Sequence, residues 1–282
     1  MRRISHSEVN SFLHCEYKHF VQFEDKLEPK TFSTSLSRGI WVHAILEVYY
    51  NAVKVGATGV EAETAAKEYL YSTTTPNNLE MAPAVLDLME RYFAYAANDD
   101  WTILAVEQHV SLLLDEDISY DGKIDLLVKI NSGQRAGQIV VIDHKTVWDF
   151  YTTDDLLVNA QIPKYIAALR AMDINASWGM VNQLRHRTKQ SYQPDSEKFR
   201  RDFIKPGLTE IKAIMTEHYE ASKRIVNASA TGAMPLRTMD KFTCKNCGVL
   251  PLCRSELLGE NTDLMRTTLY QPNSYGYGDS NE

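Results

Sequence analysis

Two sets of residues in this sequence have the types and spacing for metal chemistry. One is Asp143-His144-Lys145 with Asp125 upstream; the other is four cysteines, Cys15, Cys244, Cys247 and Cys253. Asp143 and Lys145 follow the apolar run Ile139-Val140-Val141-Ile142, which reads as a buried strand with polar groups at its tip. Alternation along a strand places Asp143 and Lys145 on one face and His144 on the other. A carboxylate and an ammonium at the end of a buried strand are costly unless something uses them. Asp125 opens a second strand-like stretch, Lys123-Ile124-Asp125-Leu126-Leu127-Val128. If the two strands pair, two carboxylates and an ammonium converge. Paired carboxylates are hard oxygen ligands suited to Mg²⁺ or Mn²⁺. A lysine beside them can position a water and offset charge building on a phosphate. Alone, D-x-K is far more often a solvated pair at a strand exit.

The last three cysteines form C-x2-C-x5-C. A reducing interior argues against disulfides, and such clustering points to metal ligation. Four thiolates hold either a tetrahedral zinc or a [4Fe-4S] cluster. Zinc ribbons usually offer two C-x2-C knuckles. Here there is one knuckle, a trailing cysteine and a remote one, which favours the cluster over zinc. The bland alternative is four buried thiols acting as small hydrophobes. Either metal centre would tie the two ends of the chain together and clasp the fold.

The elements that must carry these groups follow from periodicity. Residues 5–23 read as a helix opened by a capping box, Ser5-x-x-Glu8. Residues 38–55, 60–71 and 82–97 read as further helices. Residues 103–114 read as a strand, and Asp121-Gly122 as a turn before the Asp125 stretch. After the Asp143 strand come a helix over 157–171, with Pro163 in its first turn, a strand over 176–184 and a long helix over 207–227. From Gly259 the chain turns polar and reads as a mobile or docking tail. The order implies an α/β fold with helical elaboration: one domain over 1–258 and a tail over 259–282.

The 282 residues are 44% hydrophobic and 24% charged, with formal net charge −7. These values exclude wholesale disorder, a disulfide-dense mini-scaffold and a uniformly basic coat for nucleic acid, though not a local basic groove. No apolar run approaches the ~18 residues of a membrane span, and the N-terminus lacks a secretory apolar stretch. The expected setting is cytoplasmic.

Three more features join the set: His43 within Arg38-Gly39-Ile40-Trp41-Val42-His43, Glu107, and Gln161-x-x-x-Tyr165, whose spacing shares one helical face. Each alone means little. In order, Ser5-x-Ser7 with Phe12 and Cys15, Gly39 with His43, Glu107, Gly122-x-x-Asp125, Ile142-Asp143-His144-Lys145-Thr146, Gln161-x-x-x-Tyr165 and the cysteine triplet resemble the RecB-like branch of the PD-(D/E)XK nuclease superfamily. The chain is most similar to its iron–sulfur members, which include CRISPR-associated, AddB-like and phage exonucleases. The resemblance spans residues 5–258 and implies a restriction-endonuclease-like core, a central mixed sheet flanked by helices. It implies His43, Asp125, Asp143 and the main-chain carbonyl of His144 as metal ligands and Lys145 as the catalytic lysine. Gln161 and Tyr165 would support the site, and Cys15, Cys244, Cys247 and Cys253 would hold a [4Fe-4S] cluster. Glu16 departs from the family, where proline often follows the first cysteine.

The implied activity is metal-dependent hydrolysis of DNA from its ends, with a lean towards 5′→3′ polarity, in recombination, repair or degradation. The imidazole tilts the preferred ion from Mg²⁺ towards Mn²⁺. Arg185, Arg187, Lys189, Lys198, Arg200 and Arg201 are candidate contacts to the DNA backbone, with a solvated charged face as the bland alternative. The expected partner is DNA with free ends, not a membrane; a homo-oligomer or recombination or CRISPR proteins are further partners to consider. One alternative is a CRISPR-adaptation nuclease that trims DNA. Another, from a different class, is a non-catalytic DNA-end-binding module clasped by a metal centre.

Overall fold

The structure is a computed structural model that describes residues 1–31, 34–186 and 197–273. In chain order the first elements are β1 (Arg2–Ser5), α1 (His6–His14), α2 (Glu16–His19), a π-helical turn (Phe20–Glu24) and β2 (Leu27–Pro29). Next come α3 (Thr34–Lys54), α4 (Gly59–Ser72), α5 (Ala82–Ala96), β3 (Trp101–Leu113), β4 (Ile118–Ile130) and β5 (Ile139–Val147). They are followed by α6 (Thr153–Leu157), α7 (Gln161–Ala171), β6 (Ala176–Arg185), β7 (Phe199–Ile204) and α8 (Leu208–Thr231). The last elements are α9 (Lys241–Cys244), α10 (Leu250–Leu257), α11 (Asp263–Leu269) and β8 (Tyr270–Pro272). The contacts divide the described residues into two compact units.

The larger unit comprises residues 34–110, 122–186 and 197–215. Its sheet runs β4-β5-β6-β7, with β3 also paired to β4. β4 and β5 are antiparallel, β5 and β6 parallel, β6 and β7 antiparallel. This is the expected mixed sheet with flanking helices. Leu126, Val128, Val140, Ile142, Met180 and Leu184 alternate onto one face and share a core with α3, α4 and α5. The stripe that α3 commits to that core is Trp41, Val42, Ile45, Leu46, Tyr49 and Tyr50. An ion pair between Arg201 and Asp99 borders this core, with the guanidinium over the Tyr95 and Trp101 rings. α7 packs on β5 and β6.

The smaller unit comprises residues 1–31, 111–121 and 216–273. In it, β1 runs parallel to the first four residues of β4, and Ile4, Val9, Phe12, Ile118, Ala221 and Ile225 form a core. A second core gathers Cys15, Tyr17, Val21, Val249, Leu252, Cys253 and Tyr270.

Several expectations are corrected. Residues 5–23 are not one helix: at Cys15 the backbone is extended, with φ −165° and ψ 111°, which separates α1 from α2. Only half of the capping box forms. Ser5 Oγ accepts from the Glu8 amide, while the Glu8 carboxylate accepts from Arg2 instead. Asp121-Gly122 is not a turn, because β4 runs through it. The reversal lies upstream, where Asp115 Oδ1 accepts from the amides of Asp117 and Ile118. β7, with the sequence Phe-Arg-Arg-Asp-Phe-Ile, lacks apolar alternation, as suits a strand at the end of the sheet order.

The polar stretch after Gly259 is folded as far as Asn273. β8 pairs with β2, and Tyr270 is buried, its hydroxyl donating to the Gly248 carbonyl. Arg266 ties α11 to Asp25 and Glu256. The rest of that expected tail, 274–282, lies outside the described residues. No helix among the described residues is long and apolar enough to cross a membrane.

Candidate active site and cysteine centre

The register that pairs Leu126 with Ile142 sets Asp125 opposite Asp143 one step further along. At that point the ladder gives way to a side-chain contact, as the His144 amide donates to Asp125 Oδ2 at 2.7 Å. Lys145 Nζ donates to Asp143 Oδ1 at 2.8 Å. Asp143 is 1% exposed, and its other oxygen, Oδ2, is buried without a hydrogen-bond partner. α3 brings His43, whose Nδ1 lies 3.5 Å from Asp125 Oδ2. The two carboxylates, the ammonium and the imidazole singled out in the sequence thus converge.

His144 turns its ring to the opposite face. It stacks on Tyr50 with centroids 5.6 Å apart, and its Nδ1 accepts from Asn182 Nδ2 at 2.8 Å. Burial lowers its pKa to about 3, so the ring is neutral and its proton sits on Nε2. Its backbone amide faces Asp125, and its ring also meets the His43 ring edge-on at 6.2 Å between centroids.

Gln161 and Tyr165 act as a relay. Tyr165 Oη donates to the Lys123 carbonyl and accepts from Gln161 Nε2, both at 2.7 Å. That orients the amide so that its oxygen accepts from Lys145 Nζ at 3.2 Å. The helix start that carries Gln161 has no capping side chain at its own N-cap, Ala160. Asn159 Oδ1 supplies the cap by accepting from the Gln161 and Ile162 amides.

Close packing of α7 depends on Gly179. A Cβ there would meet Ile162 Cγ2 at 2.2 Å. Gly179→Ala is expected to lower stability by about 1–3 kcal/mol, the usual cost of overpacking. Ile162→Ala should then cost less in the Gly179→Ala background than in the parent. A thermal-unfolding cycle of the two variants measures the coupling, and strict additivity would refute the contact.

Glu107 had no role assigned from the sequence, since a lone glutamate in a strand carries no signal. Its φ of +50° lies in the left-handed region that a glutamate rarely adopts in a strand. Its carboxylate is 2.5 Å from Lys123 Nζ. One ligand atom each from His43, Glu107 and Asp125 falls within 4.8 Å of the others. Among the described residues, the one other such His/Cys/Asp/Glu group is Glu8, His19 and Glu24, which Arg2 neutralises.

The electrostatics are those of a crowded acidic pocket held closed by its own cations. Burial pushes the Asp125 carboxyl up, but the charge and hydrogen bond of His43, with help from His144 and Lys145, bring it down to about 2. Burial and the neighbouring Asp125 raise Asp143 despite Lys145. Burial would lower Lys145 and His43, yet Asp143 keeps the first protonated and Asp125 raises the second. Burial, with Asp125 behind it, likewise raises Glu107 against the pull of Lys123.

Four of the candidate DNA contacts fall on described residues. Lys198 is buried and paired with Asp87, and Arg201 is spent on Asp99. Arg185 and Arg200 lie over the Phe150 ring at 4.7 and 4.9 Å. Arg187 and Lys189 fall outside the described residues.

The four cysteines all belong to the smaller unit. The break at Cys15 ends α1 and leaves that residue 8% exposed. Cys244 ends α9, which Asp240 caps by accepting from the Phe242 and Thr243 amides. Cys247 follows in a turn, and Cys253 lies in α10 behind Pro251. Gly248 lets the loop approach Pro29, whose Cγ would stand 2.7 Å from an added Cβ. Burial raises the Cys247 and Cys253 thiols, and Arg237 opposes it at Cys253. No three of the four sulfurs lie within 4.8 Å of one another.

Solved structures resemble this chain to different degrees. A protein from Eubacterium rectale named as a candidate exonuclease is 13% identical, with TM-score 0.55, over 94% of this chain and 92% of its own. SSO0001 is 13% identical, with TM-score 0.41, over 90% of this chain and 86% of its own. LHK-Exo, solved in complex with dAMP, is 14% identical, with TM-score 0.35, over 69% of this chain and 97% of its own. No curated protein matches the sequence. The family model described as the PD-(D/E)XK nuclease superfamily matches residues 3–254, nearly the whole chain. With the D-x-K strand, its paired aspartate and the flanked mixed sheet all in place, the chain belongs to the PD-(D/E)XK nuclease superfamily.

Proposed function

We propose that this protein is a divalent-metal-dependent deoxyribonuclease that hydrolyses DNA from its ends, with 5′→3′ polarity. The observation that carries the reading is the buried, unpartnered Oδ2 of Asp143 on the strand paired with that of Asp125, whose own carboxylate gathers with His43 and Glu107. An anionic oxygen held out of water without a donor is costly, and a cation is the partner that removes the cost. The donor set fits such an ion: carboxylates from Asp125 and Asp143, the His43 imidazole and the His144 main-chain carbonyl, with the Glu107 carboxylate also in reach. When bound, the ion would supply charge neutralisation at the scissile phosphate and a more acidic water. The nitrogen ligand favours Mn²⁺ over Mg²⁺.

The chain's own groups do the rest. Lys145, held by Asp143 and the Gln161 oxygen, keeps its ammonium aimed into the pocket, where it orients a water and stabilises charge growing on the phosphate. Tyr165 fixes the Gln161 amide and so the lysine. His43 must give up its proton to serve as a ligand.

The four cysteines support a second centre. One C-x2-C knuckle with a trailing and a remote cysteine suits a [4Fe-4S] cluster better than the paired knuckles of a zinc ribbon. Its role in this reading is to hold the smaller unit together.

The deciding experiment is a time course on duplex and single-stranded DNA labelled at the 5′ or the 3′ end. Chelator is expected to stop the reaction and Mn²⁺ to restore it best, with 5′ label released first as short products. Cleavage that survives chelation, or that occurs only at internal sites, rejects the proposal.

A further inference from the structure

A second lysine enters the active site from β4, and the chemistry assigned to Lys145 leaves it unused. Lys123 stands two residues before Asp125, as Lys145 stands two residues after Asp143. Alternation therefore puts each ammonium on the same strand face as one of the two aspartates. The two lysines also share one support. Tyr165 Oη donates to the Lys123 carbonyl and, through Gln161, orients the oxygen that accepts from Lys145 Nζ. The relay thus sets the backbone under one lysine and the head of the other.

Lys123 Nζ is held by Glu107, 2.5 Å from Oε2. Burial would lower this ammonium, but the hydrogen bond and charge of Glu107, with Glu47 and Asp125 behind it, raise it and keep it charged. Glu107 is also one of the three residues, with His43 and Asp125, whose ligand atoms gather within 4.8 Å. The same carboxylate is therefore claimed twice, by the lysine that pairs with it and by the ion that the donor set fits. The exposures decide which partner yields. The Glu107 side chain is 14% exposed and that of Lys123 45%. The acid is fixed in the pocket, while the lysine has open solvent to swing into. An ammonium on a flexible four-carbon stem is a point charge with three rotatable donors, a common ligand of phosphate oxygens.

We propose that Lys123 is a second phosphate contact of the nuclease site and that Glu107 holds it in reserve: giving Glu107 to the ion frees the Lys123 ammonium for a phosphate oxygen of the DNA. This role for Lys123 rests on the nuclease reading and adds a rule of occupancy. Whatever draws Lys123 away from Glu107 makes that carboxylate a better ligand. DNA and ion therefore raise each other's affinity, and by the same factor.

In the test Ca²⁺ stands in for the catalytic ion so that the DNA stays whole. Calorimetry gives the Ca²⁺ affinity, and anisotropy of a short labelled DNA gives the DNA affinity with Ca²⁺ and with chelator. Lys123→Met keeps the apolar stem and removes the charge. It should bind Ca²⁺ about two- to fivefold more tightly than the parent, since a competing cation is gone, and DNA with Ca²⁺ about three- to tenfold more weakly. The gain that Ca²⁺ gives to DNA affinity should shrink with it. Lys123→Arg should restore DNA binding. Glu107→Gln, which releases the lysine for good, should bind DNA more tightly than the parent in chelator. Parent-like Ca²⁺ and DNA affinities in Lys123→Met, or an undiminished effect of Ca²⁺ on its DNA affinity, overturn the role. So does a loss of both affinities with a lowered thermal midpoint, which would make the lysine a structural residue. Chelator-sensitive cleavage of end-labelled DNA by the parent with Mn²⁺ reads the nuclease site separately. A parent that cuts while Lys123→Met behaves like it loses only the lysine's role; a parent that neither binds Ca²⁺ nor cuts with Mn²⁺ loses both.

Discussion

Asp143→Asn protein is expected to cleave end-labelled DNA at least a thousandfold more slowly than the parent, about 4 kcal/mol in the barrier, while keeping its fold. The substitution preserves shape and removes a charge that the fold does not need. Asp143 Oδ2 makes no hydrogen bond, and burial already disfavours the anion. Lys145, left without its carboxylate, still has the Gln161 oxygen at 3.2 Å and 28% of its side chain in solvent. A thermal midpoint within a few degrees of the parent, or above it, is therefore expected, the pattern of a residue kept for function at the expense of stability. Calorimetry should show Mn²⁺ binding lost or weakened together with cleavage. Adding Lys145→Ala should cost little more, because the two groups act as a unit. Undiminished cleavage by Asp143→Asn would remove the metal-site assignment. Lost cleavage with a collapsed thermal midpoint would make Asp143 a structural residue instead.

The parts of this site that could be read from the sequence are those where chemistry and periodicity coincide. An apolar run ending in D-x-K announces a buried strand with a functional tip, and period-two alternation separates His144 from its neighbours. Gln161 and Tyr165 share a helical face by spacing alone. Other features depend on long-range pairing. The register that sets Asp125 opposite Asp143, and the left-handed Glu107 that reaches the same pocket, arise from how β3, β4 and β5 align. Asp121-Gly122 has turn composition, yet β4 hydrogen-bonds through it, so tertiary pairing overrides local preference. β7 hides because an edge strand tolerates charge. In it Arg201 pairs with Asp99, a partner 102 residues away that no local pattern could reveal.

The break at Cys15 is instructive in the same way. Helical spacing of Val9, Phe12 and Phe20 suggests one helix, and it misses the extended residue between them. A helix continued through Cys15 would turn its sulfur by about 100° per residue relative to its neighbours. Breaking it leaves the residue free to enter the buried cluster with Cys253 and Val249. The proposed metal centre would rationalise a break that helix propensity does not.

Cys15→Ser and Cys253→Ser proteins are accordingly expected to lose the colour and iron of the parent, and with them the fold of the smaller unit. The binding free energy of a structural thiolate site is of the order of 10 kcal/mol, comparable with the whole stability of a domain. The core there is small: seven buried residues, two of them cysteines, with Tyr270 joined to Gly248. The predicted signature is local. Amide exchange should accelerate over residues 1–31 and 241–273, and proteolysis should cut near α9 and α10. Chelating the metal from the parent should reproduce the pattern. Arg237 gives the graded control. It stacks on Tyr17 at 4.0 Å, pairs with Glu256 and lowers the Cys253 thiol. Arg237→Gln should retain iron when prepared anaerobically but release it sooner to a chelator. A colourless parent containing one zinc would replace the cluster by zinc and leave the clasp in place. Full stability and unchanged exchange in both serine variants would remove the clasp altogether, and the four cysteines would then be ordinary buried thiols.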